Sequence, residues 1–332
     1  MNSSRGLIGI SLLMPVLASC ADSRPVPTIT ATWEATIQHE TMREALGVAV
    51  VGQILLVSDP QAGAIHRFDL AETNPGDMLE SWSLQVQRPM HVAAGAQGQL
   101  FGADYLSDQI VVFGDDGSVV LRIGGHGSQP GQFDAPAGVA IADDGSIYVA
   151  DFNNHRVQRF DATGGFERSW GQEGHEPGQL YYPTDVALGP EGRVYIADAY
   201  NHRIQVFTQD GDYITAWGRQ GNAAGEFDVA IGIGIDGKGR VYVADQFNHR
   251  IQVFSSRGEF LGGWGQSGAG PGQFDRPSDV AFDEAGRAYV ADFGNARVQV
   301  FTVHQITTHT IKGAATWPGR RPVRSSLGRW WY

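Results

Sequence analysis

The chain has 332 residues, with 44 glycines, one cysteine and a formal net charge of −12 at pH 7. Charged residues are 18% and hydrophobic residues 42%, which excludes a coiled coil and argues against a disordered chain. A single cysteine excludes an intrachain disulfide framework. Abundant glycine with 10% aromatic residues favours many short strands joined by tight turns.

Residues 1–20 have the pattern of an export signal. Arg5 precedes an apolar run over residues 6–16 that is too short to span a membrane as a mature helix. Residues 17–20, Leu-Ala-Ser-Cys, resemble the lipobox of bacterial lipoproteins, which implies a lipid anchor on Cys20. An ordinary cleaved signal with an incidental cysteine is the alternative.

Residues 21–30, which include two prolines, are predicted as an extended tether. By the same resemblance, the alanine after Cys20 favours attachment to the outer membrane, facing the periplasm, in a host with two membranes.

A repeat with a period of 47 residues occupies most of the chain. Its most regular element is an Ala-Asp pair, preceded by one Ser-Asp copy, and the aspartates are Asp59, Asp104, Asp151, Asp198, Asp245 and Asp292. One unit, residues 183–218, holds four strand-like segments separated by glycine turns. Four strands per repeat predict an all-β, six-bladed propeller of antiparallel blades over residues 31–313.

The repeats resemble a known family. Asn-His-Arg-Ile-Gln-Val-Phe at 201–207 and 248–254, with Asn-Asn-His-Arg-Val-Gln at 153–158, is similar to the NHL repeat, and so is Pro-Gly-Gln-Phe at 130–133 and 271–274. The resemblance is clear in four repeats and degenerate in the first two. It implies a six-bladed NHL propeller.

Two segments compete to supply the last strand of the ring. Thr308–Gly313 would continue the final repeat, whereas Ile29–Ile37, with Trp33, would close the ring from the amino-terminal side. Either strand would cover an edge that otherwise invites aggregation. The sequence does not choose between them.

The loop that follows each repeating aspartate combines that carboxylate with Asn, His and Arg. We interpret the six aspartates as structural acceptors for backbone amides and partners of the loop arginines, rather than as metal ligands. The loop histidines, His155, His202 and His249, are interpreted as packing or exposed residues, with a pH-sensitive or metal-binding role as the alternative.

The innermost strand of each blade is expected to begin near the central channel. The aligned positions there differ between repeats and are Gly47, His91, Gly138, Asp185, Gly232 and Asp279. His91, Asp185 and Asp279 could gather Ca²⁺ or Zn²⁺, or the two aspartates could simply cap backbone groups. The sequence predicts no cofactor and keeps a channel metal as the alternative.

Aromatic residues follow the repeating aspartates by one or two positions. They are Tyr105, Phe152, Tyr200, Phe247 and Phe293. We interpret them as seals between blades, with a rim that binds a peptide or glycan as the alternative.

Residues 314–332 are predicted as a basic, aromatic tail that forms a disordered or docked extension, with contact to anionic lipid headgroups as the alternative. From Lys312 onward the chain has five basic residues and no acidic residue, so the rest of the chain is more acidic than the net charge indicates. An acidic body makes nucleic acid an unfavourable partner.

These features favour a membrane-tethered, extracytoplasmic binding module that takes a protein, peptide or glycan on its channel-mouth face. The alternative is a metal-dependent enzyme, since similar propellers include a peptidyl-hydroxyglycine lyase and lactonases whose channel metal acts as a Lewis acid or activates water. Only His91 matches the channel histidines expected of the lyase. No Gly-x-Ser-x-Gly elbow occurs, and no catalytic residue is assigned.

Overall fold

The structure is a computed structural model that describes residues 28–71, 78–82, 86–95 and 98–306. The predicted signal with Cys20, most of the predicted tether and the predicted tail lie outside these residues. The described strands, in chain order, are β1 Thr28–Ile37, β2 Val48–Val51, β3 Ile54–Asp59, β4 Ala64–Asp69, β5 Met78–Trp82, β6 Pro89–Ala94, β7 Leu100–Asp104, β8 Gln109–Phe113, β9 Val119–Gly124, β10 Pro136–Ile141, β11 Ile147–Asp151, β12 Arg156–Phe160, β13 Phe166–Trp170, β14 Pro183–Gly189, β15 Arg193–Asp198, β16 Arg203–Thr208, β17 Tyr213–Trp217, β18 Ala230–Ile235, β19 Val241–Asp245, β20 Arg250–Phe254, β21 Phe260–Trp264, β22 Pro277–Phe282, β23 Arg287–Asp292 and β24 Arg297–Ile306.

Consecutive strands pair antiparallel, as expected of an all-β repeat. β2–β5, β6–β9, β10–β13 and β14–β17 each form a four-stranded sheet in chain order, and the remaining described strands form one sheet of eight. Short 3₁₀ helices lie in the connections at Pro190–Gly192, Ala199–Asn201, Gln246–Asn248 and Phe293–Asn295.

The second strand of each repeat lies in the densest part of its sheet. β7, β11, β15, β19 and β23 are buried along almost their whole length. Each has a strand on both sides and neighbouring sheets on both faces, so its sequence is a continuous run of β-branched, aromatic and small residues rather than an alternating pattern. The repeating aspartate ends this strand and is therefore held at a fixed place.

The innermost strands contact one another in cyclic order, β2, β6, β10, β14, β18, β22 and back to β2, which is a propeller-like arrangement. Tryptophans of the outermost strands fill the spaces between neighbouring sheets. The ring of Trp170 lies 6.2 Å from that of Phe207, and the ring of Trp217 lies 5.8 Å from that of Phe254, in each case on the next sheet.

The amino-terminal strand completes the last sheet. β1 pairs antiparallel with β24, with Thr28 opposite Ile306 and Ile37 opposite Val298. Of the two segments proposed to close the ring, the structure therefore uses the amino-terminal one, and Thr308–Gly313 lies outside the described residues. β1 begins at Thr28 and so includes the last three residues of the segment predicted as a tether.

β1 also reaches across to the preceding sheet. Ile29 forms a parallel bridge with Gly262 of β21, which joins two four-stranded units into the sheet of eight. A Cβ atom on residue 262 would lie 2.1 Å from the carbonyl oxygen of Ile29, so only glycine permits this approach. Within the part of the chain that the structure describes, no helix has the length and apolar character needed to cross a bilayer.

Candidate functional site

The loops after the second strands meet the loops that lead into the innermost strands. The amide of Tyr200 donates to the carbonyl of Tyr181, and the amide of Asn153 donates to the carbonyl of Asp134. We call the side of the molecule formed by these two sets of loops the loop face. It carries the loop histidines, the aromatic candidates and the strand ends at which the repeating aspartates lie, within the described part of the chain.

The repeating aspartates organise these loops. Asp198 is fully buried, and its carboxylate accepts hydrogen bonds from the amide of Tyr181 at 2.7 Å and from Asn201 Nδ2, Arg203 Nε and Gln205 Nε2 at 2.7–3.0 Å. Asp151, Asp245 and Asp292 make the equivalent contacts. Burial raises the pKa of Asp151 and Asp245, although the hydrogen bonds and the paired arginines act to lower it. The geometry supports a structural role, since the carboxylates are already saturated.

Asp59 and Asp104 perform the same task with different partners. Asp59 accepts the amides of Arg43 and Glu44 and pairs with His66, and Asp104 accepts the amides of Gln87 and Arg88. The degenerate first two repeats thus keep the buried carboxylate although they lack the Asn-His-Arg sequence.

The loop histidines link successive sheets. His155, His202 and His249 have φ values of 52–54°, and Nδ1 of each accepts the backbone amide of Tyr182, Val229 and Arg276, respectively, at 3.0–3.2 Å. Asp108 accepts the amide of Ala135 at the equivalent place. The sequence interpretation of these histidines as packing or exposed residues missed this function, because the acceptor and donor are 27 residues apart and meet only in the folded ring.

These links require neutral imidazole rings, since a protonated Nδ1 cannot accept a hydrogen bond. Burial lowers the pKa of His155, with Glu173 and Asp198 opposing, and lowers the pKa of His202, with Asp228 opposing. Both shifts favour the neutral form that the links need.

The three channel residues singled out from the sequence come together. His91, Asp185 and Asp279 lie on β6, β14 and β22, every second innermost strand, and are 3–5% exposed. His91 Nδ1 is 3.5 Å from Asp185 Oδ1 and 3.4 Å from Asp279 Oδ2. We call these three residues the channel cluster.

Backbone amides hold both carboxylates in place. Asp185 accepts the amides of Val186 and Ile233, and Asp279 accepts those of Val280 and Val48, so each aspartate joins its own strand to the next one. Both aspartates therefore cap backbone groups, which is one of the two roles considered for them.

The intervening glycines allow the strands to approach. A Cβ atom on residue 232 would lie 2.1 Å from the carbonyl oxygen of Ser278, next to Asp279. Glycine at alternate ring positions is thus a packing requirement, which explains why the ring residues vary between repeats.

The electrostatics of the channel cluster follow from burial and mutual contact. Burial opposes protonation of His91, but the carboxylates of Asp185 and Asp279 outweigh it and raise its pKa to about 9. Burial raises the pKa of Asp185 to about 7, with His91 opposing and Asp279 adding to the effect. The cluster therefore favours a positive charge at its centre.

Three of the five aromatic candidates form a cluster. The ring of Phe152 lies 6.3 Å from that of Tyr105 and 6.4 Å from that of Tyr200. Tyr182 lies 4.8 Å from Phe152 and 5.3 Å from Tyr200, and Tyr181 lies 4.8 Å from Tyr182. Sequence reasoning missed the two tyrosines, although the pair at 181–182 stands immediately before an innermost strand and could have drawn attention.

The other two aromatic candidates lie in different surroundings. Phe293 lies under the guanidinium of Arg276, 5.0 Å from the ring centre, and Phe247 is 46% exposed. Sealing between sheets therefore describes Phe152, which is buried, better than it describes Phe247.

The comparisons with known proteins agree with this architecture. The NHL repeat family matches residues 133–160, 180–207, 227–254 and 274–301. A comparison of the sequence with curated proteins gives no match.

Solved structures show the same fold. A streptogramin B lyase is similar with a TM-score of 0.61 at 14% identity over 83% of this chain and 98% of that one. A catalytically inactive virginiamycin B lyase from Staphylococcus aureus, with quinupristin, has a TM-score of 0.58 at 16% identity over 84% and 88%. A gluconolactonase from Xanthomonas campestris has a TM-score of 0.63 at 18% identity over 85% and 96%. The chain thus contains four NHL repeats, and its four-stranded antiparallel sheets have a propeller-like arrangement.

Proposed function

We propose that this protein is a six-bladed NHL propeller that binds a protein or peptide through its loop face. The cyclic order of the innermost strands supports six blades, the last one completed by β1. The excess of acidic residues outside the carboxyl-terminal segment favours such a partner over nucleic acid.

The observation that carries the proposal is a set of exposed apolar side chains on the loop face. Leu106, Tyr200 and Phe247 are 55%, 37% and 46% exposed and occupy equivalent positions, two residues after the repeating aspartate. The neighbouring Asp, Asn and Arg side chains already make hydrogen bonds within the loops, and the loop histidines bind the backbone of the next sheet. Exposed apolar and aromatic residues on a rigid frame are typical of binding surfaces.

The proposed tether connects to the end of β1 that lies opposite the loop face. Thr28 pairs with Ile306 at the end of β1 that is opposite the loop face, whereas Ile37 pairs with Val298 next to the loop at Phe293–Asn295. A tether from Cys20 would join the sheet at Thr28, on that opposite side.

The anchor has a direct test. Replacing Cys20 with serine should move the protein from the membrane fraction to the soluble extracytoplasmic fraction, because the acyl chains are the attachment. Retention of the Cys20→Ser variant in the membrane fraction would rule out the lipid anchor and leave the loop-face proposal standing.

To test the binding surface, peptides that bind the full-length protein are selected from a random library. The same protein is screened in parallel on a glycan array. We expect a Tyr200→Ala/Phe247→Ala double variant to bind selected peptides at least about tenfold more weakly, since each buried aromatic anchor contributes on the order of 1 kcal/mol or more. Tyr213→Ala is the matched control, because Tyr213 is 41% exposed on an outermost strand. Equal affinity of the double variant would refute the proposal, and selection of glycans alone would change the ligand class.

Catalysis in the channel is the second candidate function. It is favoured by the buried charged groups of the channel cluster and by the likeness in fold to a lyase and a gluconolactonase. A channel metal there would supply Lewis acidity. The cluster is only 3–5% exposed, which leaves a substrate little access and makes binding the preferred proposal. Turnover of a streptogramin B or a gluconolactone that is lost on His91→Gln substitution would reverse this preference.

A further inference from the structure

We propose that the carboxylate of Asp228 and the ring of Phe247 form a subsite on the loop face for an arginine side chain of a bound peptide. We call Asp228, Val229 and Phe247 the arginine subsite. The inference rests on the proposed function, since it names the chemistry of a ligand that the loop face would bind. Equivalent positions in the other repeats support this assignment.

The last repeat fills the equivalent place with an arginine of its own. Arg276 Nε lies 3.3 Å from Asp275 Oδ1, and Arg276 Cζ lies 5.0 Å from the centre of the Phe293 ring. In the second repeat, Arg88 holds the equivalent position, and its Cζ lies 5.6 Å from the centre of the Tyr105 ring. A guanidinium over an aromatic ring gains a cation–π contact, and a carboxylate beside it adds an ion pair. The loop face therefore already binds two guanidinium groups of this chain at this position of the repeat.

The fifth repeat keeps the carboxylate but not the arginine. Asp228 and Val229 occupy the positions equivalent to Asp275 and Arg276, one period of 47 residues earlier. Val229 has a φ of 65°, which β-branched residues rarely adopt, and Arg276 has a similar φ of 57°. The backbone at this position therefore accommodates arginine, and the fifth repeat has an apolar residue there at a cost in backbone strain.

The carboxylate of Asp228 lacks the side-chain partner that an equivalent aspartate has. In the third repeat, Asn153 Nδ2 donates to Asp134 Oδ1 at 2.8 Å, whereas the position of Asn153 is held by Phe247 in the fifth repeat. Within the part of the chain that the structure describes, the hydrogen bonds of Asp228 are made by its backbone, whose amide donates to Asp245 and whose carbonyl accepts the amide of Phe247. The half-buried carboxylate is thus left for solvent or a ligand.

The surroundings of this carboxylate favour a guanidinium. Phe247 is 46% exposed and stands where an amide donor lies in the third repeat. His202, whose positive charge would compete for Asp228, accepts the amide of Val229 at Nδ1 and is therefore neutral in that link. A guanidinium is planar and weakly hydrated, so it can stack on the ring while it pairs with the carboxylate. The excess of acidic residues outside the carboxyl-terminal segment favours the same charge on the ligand.

Peptides selected on the full-length protein from the random library are the probes. We expect them to be enriched in arginine, and we expect Asp228→Asn to weaken the binding of an arginine-containing peptide at least about tenfold. A peptide with citrulline in place of that arginine keeps the shape without the charge, and it should bind the wild type and the Asp228→Asn variant equally.

Asp134→Asn is the matched control for this substitution. It removes the same charge at the equivalent position of the third repeat, where Asn153 already donates to the carboxylate. It should change the affinity for the arginine-containing peptide by less than about twofold. Equal weakening by Asp228→Asn and Asp134→Asn would overturn the subsite, because it would show attraction to the overall charge of the loop face.

Val229→Arg provides a second measurement that does not remove the carboxylate. The introduced side chain should occupy the subsite as Arg276 does in the last repeat, and so weaken the binding of the arginine-containing peptide at least about tenfold without lowering the Tm. Selected peptides that lack arginine, and whose binding depends on Tyr200 and Phe247 but not on Asp228, would overturn the subsite and leave the proposed function standing. A library that yields no binding peptide would overturn both.

Discussion

Replacement of Asp198 by alanine is expected to lower the free energy of unfolding by about 3–5 kcal/mol, measured by urea denaturation followed by tryptophan fluorescence. The substitution leaves Arg203 Nε, Asn201 Nδ2, Gln205 Nε2 and the Tyr181 amide without their buried acceptor. Breaking a buried ion pair by removing one partner is costly because the other charge stays buried and uncompensated.

Asp210→Ala is the matched control for this substitution. Asp210 pairs with Arg168 at 2.7 Å, yet its side chain is 66% exposed, so the loss should be within about 1 kcal/mol. Equal destabilisation by the two substitutions would show that the repeating aspartate is not the organising element of the loop. Asp198→Asn, which keeps one acceptor oxygen, should fall between the two.

Acidification is expected to lower the free energy of unfolding of a His155→Asn/His202→Asn double variant much less than that of the wild-type protein. The pKa of each histidine is lowered in the folded state by burial, so below about pH 6.5 the unfolded chain binds more protons than the folded chain. Wild-type stability therefore falls as the pH drops from about 6.5 toward the folded pKa values.

Asparagine tests this mechanism because it keeps an acceptor oxygen, tolerates a positive φ and does not titrate. Each link is worth on the order of 1 kcal/mol, so the wild type should lose about 2 kcal/mol more than the double variant between pH 7 and pH 5. His304→Asn, an exposed position on β24, serves as the control and should leave the pH dependence unchanged. Parallel pH profiles for the wild type and the double variant would contradict the proposed role of the links.

Most of the fold could be predicted from local sequence. The 47-residue period, the glycine turns and the apolar runs such as Arg193–Asp198 are short-range features, and strand pairing within each repeat follows from them. The same alignment of the repeats placed His91, Asp185 and Asp279 at equivalent positions, because residues that are a whole number of repeats apart occupy the same place in their respective sheets.

The strand that closes the ring could not be predicted from the sequence. Ile29–Ile37 and Thr308–Gly313 both have strand-like patterns, and which of them pairs with the last repeat depends on contacts between distant parts of the chain. Gly262 admits β1 beside β21, a fit that becomes apparent only when the two backbones are placed together.

The sequence by itself therefore determined the repeating unit, its four strands and the residues at each equivalent position, because these depend on neighbours within about one repeat. Tertiary structure decided which strand closes the ring, how the loop histidines link successive sheets, and that Tyr181 and Tyr182 join Phe152 and Tyr200. It also brought His91 Nδ1 to within 3.4–3.5 Å of carboxylate oxygens of Asp185 and Asp279. These features arise between repeats, where the geometry of the whole ring, rather than the pattern of any one segment, sets which atoms meet.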